Sequence, residues 1–298
     1  MPIKRPMKAP NDPITNEDLQ KLKYPLYGSP KLDGFRCTVD KRPYTSSMKW
    51  FANPFVNREL QNPIYDGLDG ELVVGDPKDG PTVFRNTSSL LRRHYGEPDF
   101  RFYVMDSHFN PQERYLDRWI EKIPQNKGRI IVLHQRLLHS PEEVIAYEKE
   151  MLAFGYEGAM IRSPFKKYKE GRCTFREMNI FKRKPFVEIE AVVVGYLEGM
   201  TNENEAVVNE MGLTKRSHCK ENMFPNGKLG SFILKSPLWA DPFKASLGKD
   251  FDDKIKYAVW TNRSSFMGTV VTVKYQKYGS YKAPRIPSVI KLHGFEKV

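Results

Sequence analysis

The longest apolar stretches of this chain, such as Glu190 to Tyr196 and Thr269 to Val273, are only as long as a β-strand. A helix that crosses a membrane needs about 20 successive apolar residues. The chain therefore reads as a folder of short buried strands with no membrane span. Its first ten residues are partly basic but have no apolar segment behind them, so no secretory signal is expected. A length of 298 residues suits one large domain or two ordinary ones. The three cysteines, Cys37, Cys173 and Cys219, lie far apart. They make no C-x-x-C pair, which excludes a disulfide framework and argues against a zinc site. An intracellular, reducing compartment is expected. The net charge of +12 directs attention to polyanionic partners: nucleic acid, nucleotides or an anionic membrane surface. That excess is spread over the chain rather than gathered in a tail.

Periodicity and turn residues place the elements coarsely. Residues 1 to 30, rich in Pro and Lys, read as an extended arm with one short helix near Asn16 to Leu22. Ser29 to Val39 reads as strand, turn, strand, with Gly34 in the turn. Leu68 to Val74, Phe100 to Asp106, Tyr156 to Arg162 and Glu188 to Tyr196 read as strands. Pro111 to Glu121 and Pro141 to Phe154 read as helices, the second opened by Ser140 as N-cap. A polar stretch, Thr201 to Asn226, has little periodicity. Short strands follow at Gly230 to Lys235, Thr269 to Lys277 and Ser288 to His293, the pattern of a small barrel. The expected fold is α+β, with a larger domain over residues 1–188 and a small β-barrel over 189–298.

The chemistry concentrates in a few places. In Lys31-Leu32-Asp33-Gly34-Phe35-Arg36, a lysine beside a tight turn suits a nucleophilic amine, which attacks only when deprotonated. Asp33 and Arg36, on the same strand face or across the turn, can position a phosphate or sugar. The same six residues could equally be a surface hairpin of mixed charge. Asp69-Gly70-Glu71-Leu72-Val73-Val74 puts a carboxylate at the start of an apolar strand, where it caps a turn or accepts from ribose hydroxyls. Tyr156-Glu157-Gly158-Ala159-Met160-Ile161-Arg162 repeats the plan, and Glu157 could hold a divalent metal. Lys182 and Lys184, two apart in Phe181-Lys182-Arg183-Lys184-Pro185, share one strand face and suit a single phosphate. Taken singly, each signal is more often structural than functional; their order and spacing support one another. The six histidines show no metal-ligand spacing.

Together these segments resemble the covalent nucleotidyltransferases: ATP-dependent DNA ligases, RNA ligases and mRNA capping enzymes. KLDGFR, DGELVV, FYVMD, EGAMIR and FKRKP are similar to the family's nucleotidyl motifs I, III, IIIa, IV and V. Among these enzymes the small viral or phage DNA ligases are the nearest in plan. The resemblance covers nearly the whole chain, including Lys215-Arg216-Ser217 and Pro284-Arg285-Ile286-Pro287. It implies a nucleotidyltransferase domain of ATP-grasp-like antiparallel sheets with helices, then an OB-fold barrel. It also implies ATP as substrate, with AMP carried on Lys31, and Mg²⁺ or Mn²⁺ held by Glu157. Lys182 and Lys184 would contact the α-phosphate, and Arg36 and Glu71 the ribose. Asp33 would act when the 3′-hydroxyl attacks, and Arg285 would orient the leaving pyrophosphate. Ser29 and Pro30 would line the adenine pocket. Met105 stands where the family usually stacks an aromatic on adenine; a thioether packs on a purine face less rigidly. Arg172 matches a position that contacts the nick 5′-phosphate. The family's Ser-Arg pair downstream of motif I is replaced by Ser46-Ser47-Met48-Lys49, leaving Arg42 or Lys49 as candidates for its role.

The polar stretch at about 200–228 resembles a DNA-clasping β-hairpin latch. Lys215, Arg216, His218 and Lys220 would then face phosphates of a nicked duplex, in a monomer that closes around DNA. A disordered polar loop is the competing reading. A capping guanylyltransferase using GTP and an RNA ligase share the lysine chemistry and remain alternatives; a non-catalytic nucleic-acid-binding protein is the third. The cysteine tetrad and extra domains of NAD-dependent ligases are absent, which disfavours NAD as donor.

Overall fold

The computed structural model describes residues 5–80, 82–122, 126–276 and 283–293, with the side chains of 120–122 left aside. Lys277, the expected end of one strand, lies outside the described residues, as does the tip of the N-terminal arm. The chain divides into two compact units, Met1–Lys184 and Pro185–Val298.

The first unit holds two sheets. Its strands in chain order are β1 (Leu26–Lys31), β2 (Phe35–Val39), β3 (Pro43–Thr45), β4 (Leu68–Val74), β5 (Phe100–Ser107), β6 (Ile130–Val132), β7 (Arg136–Leu138), β8 (Gly158–Arg162) and β9 (Ile180–Arg183). One sheet runs β7-β1-β8-β9, the other β3-β2-β4-β5-β6. The two strands and the break between them stand where the sequence put them, but Lys31 to Arg36 is no hairpin. β1 pairs with β7 and β8, whereas β2 pairs with β3 and β4. The chain leaves one sheet at Lys31 and enters the other at Phe35. Sequence cannot distinguish a tight turn within a sheet from a crossing between sheets, because both need the same local break in pairing.

Helices cover the sheets. They are α1 (Asn16–Leu19), α2 (Pro54–Leu60), α3 (Thr82–Leu91), α4 (Tyr115–Lys122) and α5 (Pro141–Ala153). In α5 the Ser140 hydroxyl accepts from the Glu143 N–H at 3.3 Å, the expected N-cap. Its Val144, Tyr147 and Met151 pack with Leu26, Leu138, Ala159, Ile161 and Phe181 of the first sheet. Cys37, Val39, Leu72, Phe100 and Phe102 of the second sheet pack with Val56 and Leu60 of α2. The expected helix at 111–121 starts four residues late. Its first turn is replaced by bonds from Tyr115 N–H to the Lys166 carbonyl (2.8 Å) and Leu116 N–H to the Pro164 carbonyl (2.9 Å). The expected helix at 16–22 ends at Leu19, closed at its start by a Thr15–Asp18 capping box.

A third cluster, Leu32, Val73, Val83, Met105 and Leu133, joins β4 and β5 of the second sheet and α3 to Leu32, in the segment that crosses between the sheets. Beside it lies a buried charge network. Arg118 donates to both oxygens of Asp106 at 3.1 Å, and Arg162 also pairs with Asp106. These residues come from α4, β5 and β8, so the network ties one sheet to the other. Breaking such a buried pair typically costs 3–5 kcal/mol.

The second unit is built on β10 (Phe186–Asn202), β11 (Ala206–Val208), β12 (Thr214–Arg216), β13 (Met223–Lys235), β14 (Phe243–Leu247), β15 (Val270–Gln276) and β16 (Arg285–Leu292), with α6 (Asp253–Thr261) before β15. A closed barrel runs β10-β13-β14-β16-β15, with β14 and β16 parallel. Ala191, Val193, Phe232, Leu234, Val271, Val273 and Val289 form its core, with Val259 of α6. β10 pairs with β15 from Phe186 to Val192, and with β13 from Val192 out to Asn202 opposite Met223. β11 and β12 pair with one another, Ala206 opposite Arg216. The polar stretch is thus ordered as a two-stranded extension, not a loop.

Candidate active site

The register of the first sheet brings the expected charges together. Lys31 ends β1 opposite Gly158, the first residue of β8, and the Glu157 N–H donates to the Lys31 carbonyl at 3.1 Å. β9 lies on the other side of β8, with Lys182 opposite Met160. Three neighbouring strands thus present Lys31, Glu157 and the Lys182–Lys184 pair at one edge. Lys31 Nζ is ion-paired to Glu157 Oε2, and Lys184 Nζ lies 3.3 Å from Glu157 Oε1. Gly158, at φ 148°, explains the glycine of the repeated plan. A Cβ there would collide with the Arg183 carbonyl of the adjacent strand.

The second sheet supplies the other wall. Arg36 on β2 stands opposite Glu71 on β4. Its Nη2 donates to Asp69 Oδ2 (2.7 Å) and to the Met7 carbonyl (3.2 Å), and its Nη1 reaches Met105 Sδ at 3.2 Å. Glu71 Oε1 stays 3.9 Å from Nη1, beyond hydrogen-bond reach. Arg36 Nε is buried with no hydrogen-bond partner, a donor aimed at nothing the chain itself provides.

Between the walls is a cavity of about 330 Å³. Pro30, Lys31, Leu32, Arg36, Glu71, Met105, Leu133, Met160, Arg172, Lys182 and Lys184 line it, together with Lys8, Ala9 and Ser46. Six of these carry positive charge and one, Glu71, is a carboxyl, a balance suited to a phosphorylated ligand. Leu32, Met105 and Leu133 add an apolar floor for a ring. Burial pushes the Glu71 carboxyl up to about 7, against the opposing pull of Arg36 and Lys31. Burial first, then Lys184, Lys31 and Arg172, brings Lys182 down to about 8.

The remaining sequence-predicted residues are placed as follows. Ser29 is buried behind the cavity wall, and Asp33 lies between the sheets without lining it. Arg172 lines the cavity and donates to the Ala9 carbonyl at 2.8 Å. Arg42 and Lys49 are exposed, Arg42 stacking over Trp50 at 4.6 Å; Ser46, not Lys49, reaches the cavity. Lys215, Arg216 and Lys220 are exposed in the second unit, where Arg285 opens β16. Sequence reasoning missed Lys8, Asp69 and Tyr168. Only Asp69 had a signal, its place in the Asp-Gly-Glu triplet; the other two reach the site through tertiary contacts alone. A larger cavity, about 470 Å³, opens beside the β2–β3 turn, lined by Asp40, Lys41, Arg42, Tyr44, Asp66 and Phe109. Its carboxylates balance its cations, so it suits a polyphosphate less well.

Among the described residues, no three His, Cys, Asp or Glu side chains are grouped to hold a metal ion. A lone carboxylate fits Mg²⁺, which keeps several waters and is completed by substrate phosphates. Glu157, beside two lysines that phosphates could engage, is such a group.

No family model matches the sequence, and no curated protein matches it. Solved structures do. The two-sheet unit and barrel unit have the architecture of the DNA ligases. The chain is similar to the Chlorella virus DNA ligase–adenylate, at 25% identity over 98% of this chain and 100% of that one, with a TM-score of 0.54. A second structure of that ligase–adenylate gives 25% identity over 99% of this chain and all of the other, TM-score 0.53. A Lig E DNA ligase shares the fold at 20% identity, over 90% of this chain and 92% of that one, TM-score 0.65. The likeness to the two ligase–adenylate structures bears out the resemblance to small viral ligases read from the motifs, and it supports the enzyme class, an ATP-dependent DNA ligase. No helix among the described residues is long and apolar enough to cross a membrane.

Proposed function

We propose that the chain seals nicks in duplex DNA, using ATP and a lysyl-AMP intermediate. The observation that carries this is Lys31: a lysine Nζ held by Glu157 at the mouth of a cavity rich in cations. In the first step Lys31, as the free amine, attacks the α-phosphorus of ATP. The Nζ–P bond forms, the bond to the bridging oxygen of the β-phosphate breaks, and pyrophosphate leaves. Lys182 and Lys184 hold the α-phosphate oxygens on which charge accumulates. Arg36 Nε and Glu71 hold the ribose hydroxyls, and Met105 with Leu32 packs the base. A Mg²⁺ or Mn²⁺ ion on Glu157 would neutralise phosphate charge.

In the second step the nick 5′-phosphate attacks the adenylate and frees Lys31, with Arg172 and Ser46 at the cavity edge to receive it. Asp33 then serves the 3′-hydroxyl, whose attack forms the phosphodiester and releases AMP. The parallel β14–β16 pair and the helix before β15 support reading the barrel of the second unit as an OB fold. That domain, residues 189–298, would carry Arg285 for pyrophosphate orientation. Its extension at 200–228 would lay Lys215, Arg216 and Lys220 on backbone phosphates, and Arg42 and Lys49 would do the same from residues 1–188. Phosphate contacts of this kind bind without regard to sequence.

The test is incubation with α-labelled ATP, GTP or NAD and a divalent metal, then with nicked duplex. A labelled AMP adduct that Lys31→Ala abolishes, and that nicked DNA discharges into sealed product, is the expected result. A GMP adduct would move the reading to a capping enzyme, discharge only into nicked RNA to an RNA ligase, and no adduct would end the enzyme reading.

A further inference from the structure

We infer that Tyr168 is a positioning residue that aims Arg36 and thereby sets preference for a ribose over a deoxyribose; this rests on the nucleotide site proposed above. Tyr168 lies between β8 and β9, is 5% exposed, and is not among the residues lining either cavity described above. Its hydroxyl donates to Asp69 Oδ2 at 2.8 Å and accepts from the Met7 N–H at 3.0 Å. Asp69 Oδ2 in turn accepts from Arg36 Nη2 at 2.7 Å, and the Met7 carbonyl accepts from the same nitrogen at 3.2 Å. The loop is closed: Tyr168 fixes both the carboxylate and the backbone group that grip one end of the guanidinium.

The carboxylate needs this grip. Asp69 is fully buried, and its Oδ1 has no hydrogen-bond partner. A buried carboxylate satisfied on one oxygen only can rotate about its terminal torsion, which is broad. With two donors on Oδ2, rotation breaks both bonds. Burial, reinforced by Asp69, holds the Tyr168 hydroxyl well above the usual phenol range, so it remains a donor at any working pH. Arg36 is then a planar fork fixed from behind, with its unpartnered Nε and the unbonded Glu71 carboxyl as the groups left to meet a ligand. A fork held this rigidly can discriminate the presence of one hydroxyl; a loose one cannot.

The measurement is equilibrium binding of ATP and 2′-deoxy-ATP in a Lys31→Ala background, where no adduct forms. Tyr168→Phe should weaken ATP about tenfold, a lost hydrogen bond to a charged group. It should weaken 2′-deoxy-ATP by no more than about twofold, so the ATP preference collapses. Asp69→Asn, which keeps the shape but loses the ion pair, should give the same collapse and stands in should Tyr168→Phe not fold. Equal weakening of both nucleotides, or none, would overturn the inference while leaving the nucleotide site intact. Failure of the Lys31→Ala parent to bind either nucleotide would overturn the site itself, and the inference with it.

Discussion

At the scale of single residues the cavity is built from groups whose burial works against their charge. Lys182 is the clearest case. Its pKa is brought down from 10.5 to about 8, so below pH 8 the folded protein carries a charge that unfolding would relieve. That cost is fully present below pH 8 and fades as pH rises toward 10.5. Lys182→Met should therefore stabilise the ligand-free protein at pH 7, by on the order of 1 kcal/mol once partial exposure is allowed for, while removing adenylation. The gain should vanish at pH 10.5, and thermal unfolding at the two pH values checks it. Glu71, pushed up to about 7, accepts from a hydroxyl more strongly once it has lost its proton. The KM for ATP should fall as pH rises through 7 and climb again above 8 as Lys182 discharges. In Glu71→Gln the lower limb should disappear. Lys31, Arg36 and the two glutamates were legible because each lies within three residues of a glycine, and Lys182 and Lys184 because two-residue spacing puts them on one strand face. Tyr168 and Lys8 were not, since their roles come from segments more than a hundred residues apart: the Met7 N–H meets the Tyr168 hydroxyl, and Lys8 N–H meets the Gly171 carbonyl.

At the scale of elements, the strands with continuous apolar runs were readable, Leu68–Val74 to the residue. The helix at 115–122 was misjudged at its start because segment 164–167 takes its first bonds. β14 and α6 were passed over: β14 is only five residues long, and α6 buries little more than Val259. Replacing residues 204–218 by a short turn should test the extension of β10 and β13. DNA binding should weaken at least tenfold, and adenylation by less than twofold. Neutralising Lys215, Arg216 and Lys220 together should flatten the salt dependence of binding by about 2 to 3 in log–log slope, if each holds one phosphate. In α5, Ser140→Ala should cost about 1 kcal/mol of stability by denaturant unfolding.

At the scale of the whole molecule, the charge of +12 divides between a cluster in one cavity and a dispersed remainder on the surfaces of both units. A change of pattern toward short strands was visible in the sequence beyond Gly199, inside the unit that begins at Pro185. The pairing of strands into two sheets was not, because nothing local says that Lys31 and Phe35 leave and enter different sheets. That crossing has a mechanical consequence. A nucleotide seated between Lys31 and Arg36 would be a staple through two separate layers, which the buried Asp106 cluster and the Tyr168–Asp69 hydrogen bond also tie. Occupancy would then clamp the layers against shearing, and the ligand would act as a rivet whose removal frees them. In Lys31→Ala, where no adduct forms, saturating ATP at about 100 times its Kd should raise stability by about 2.7 kcal/mol. Hydrogen exchange should slow in β2 and β4 as well as β1 and β8. A substrate that is consumed in each turnover would thus also be, while it stays, a fastening of the fold.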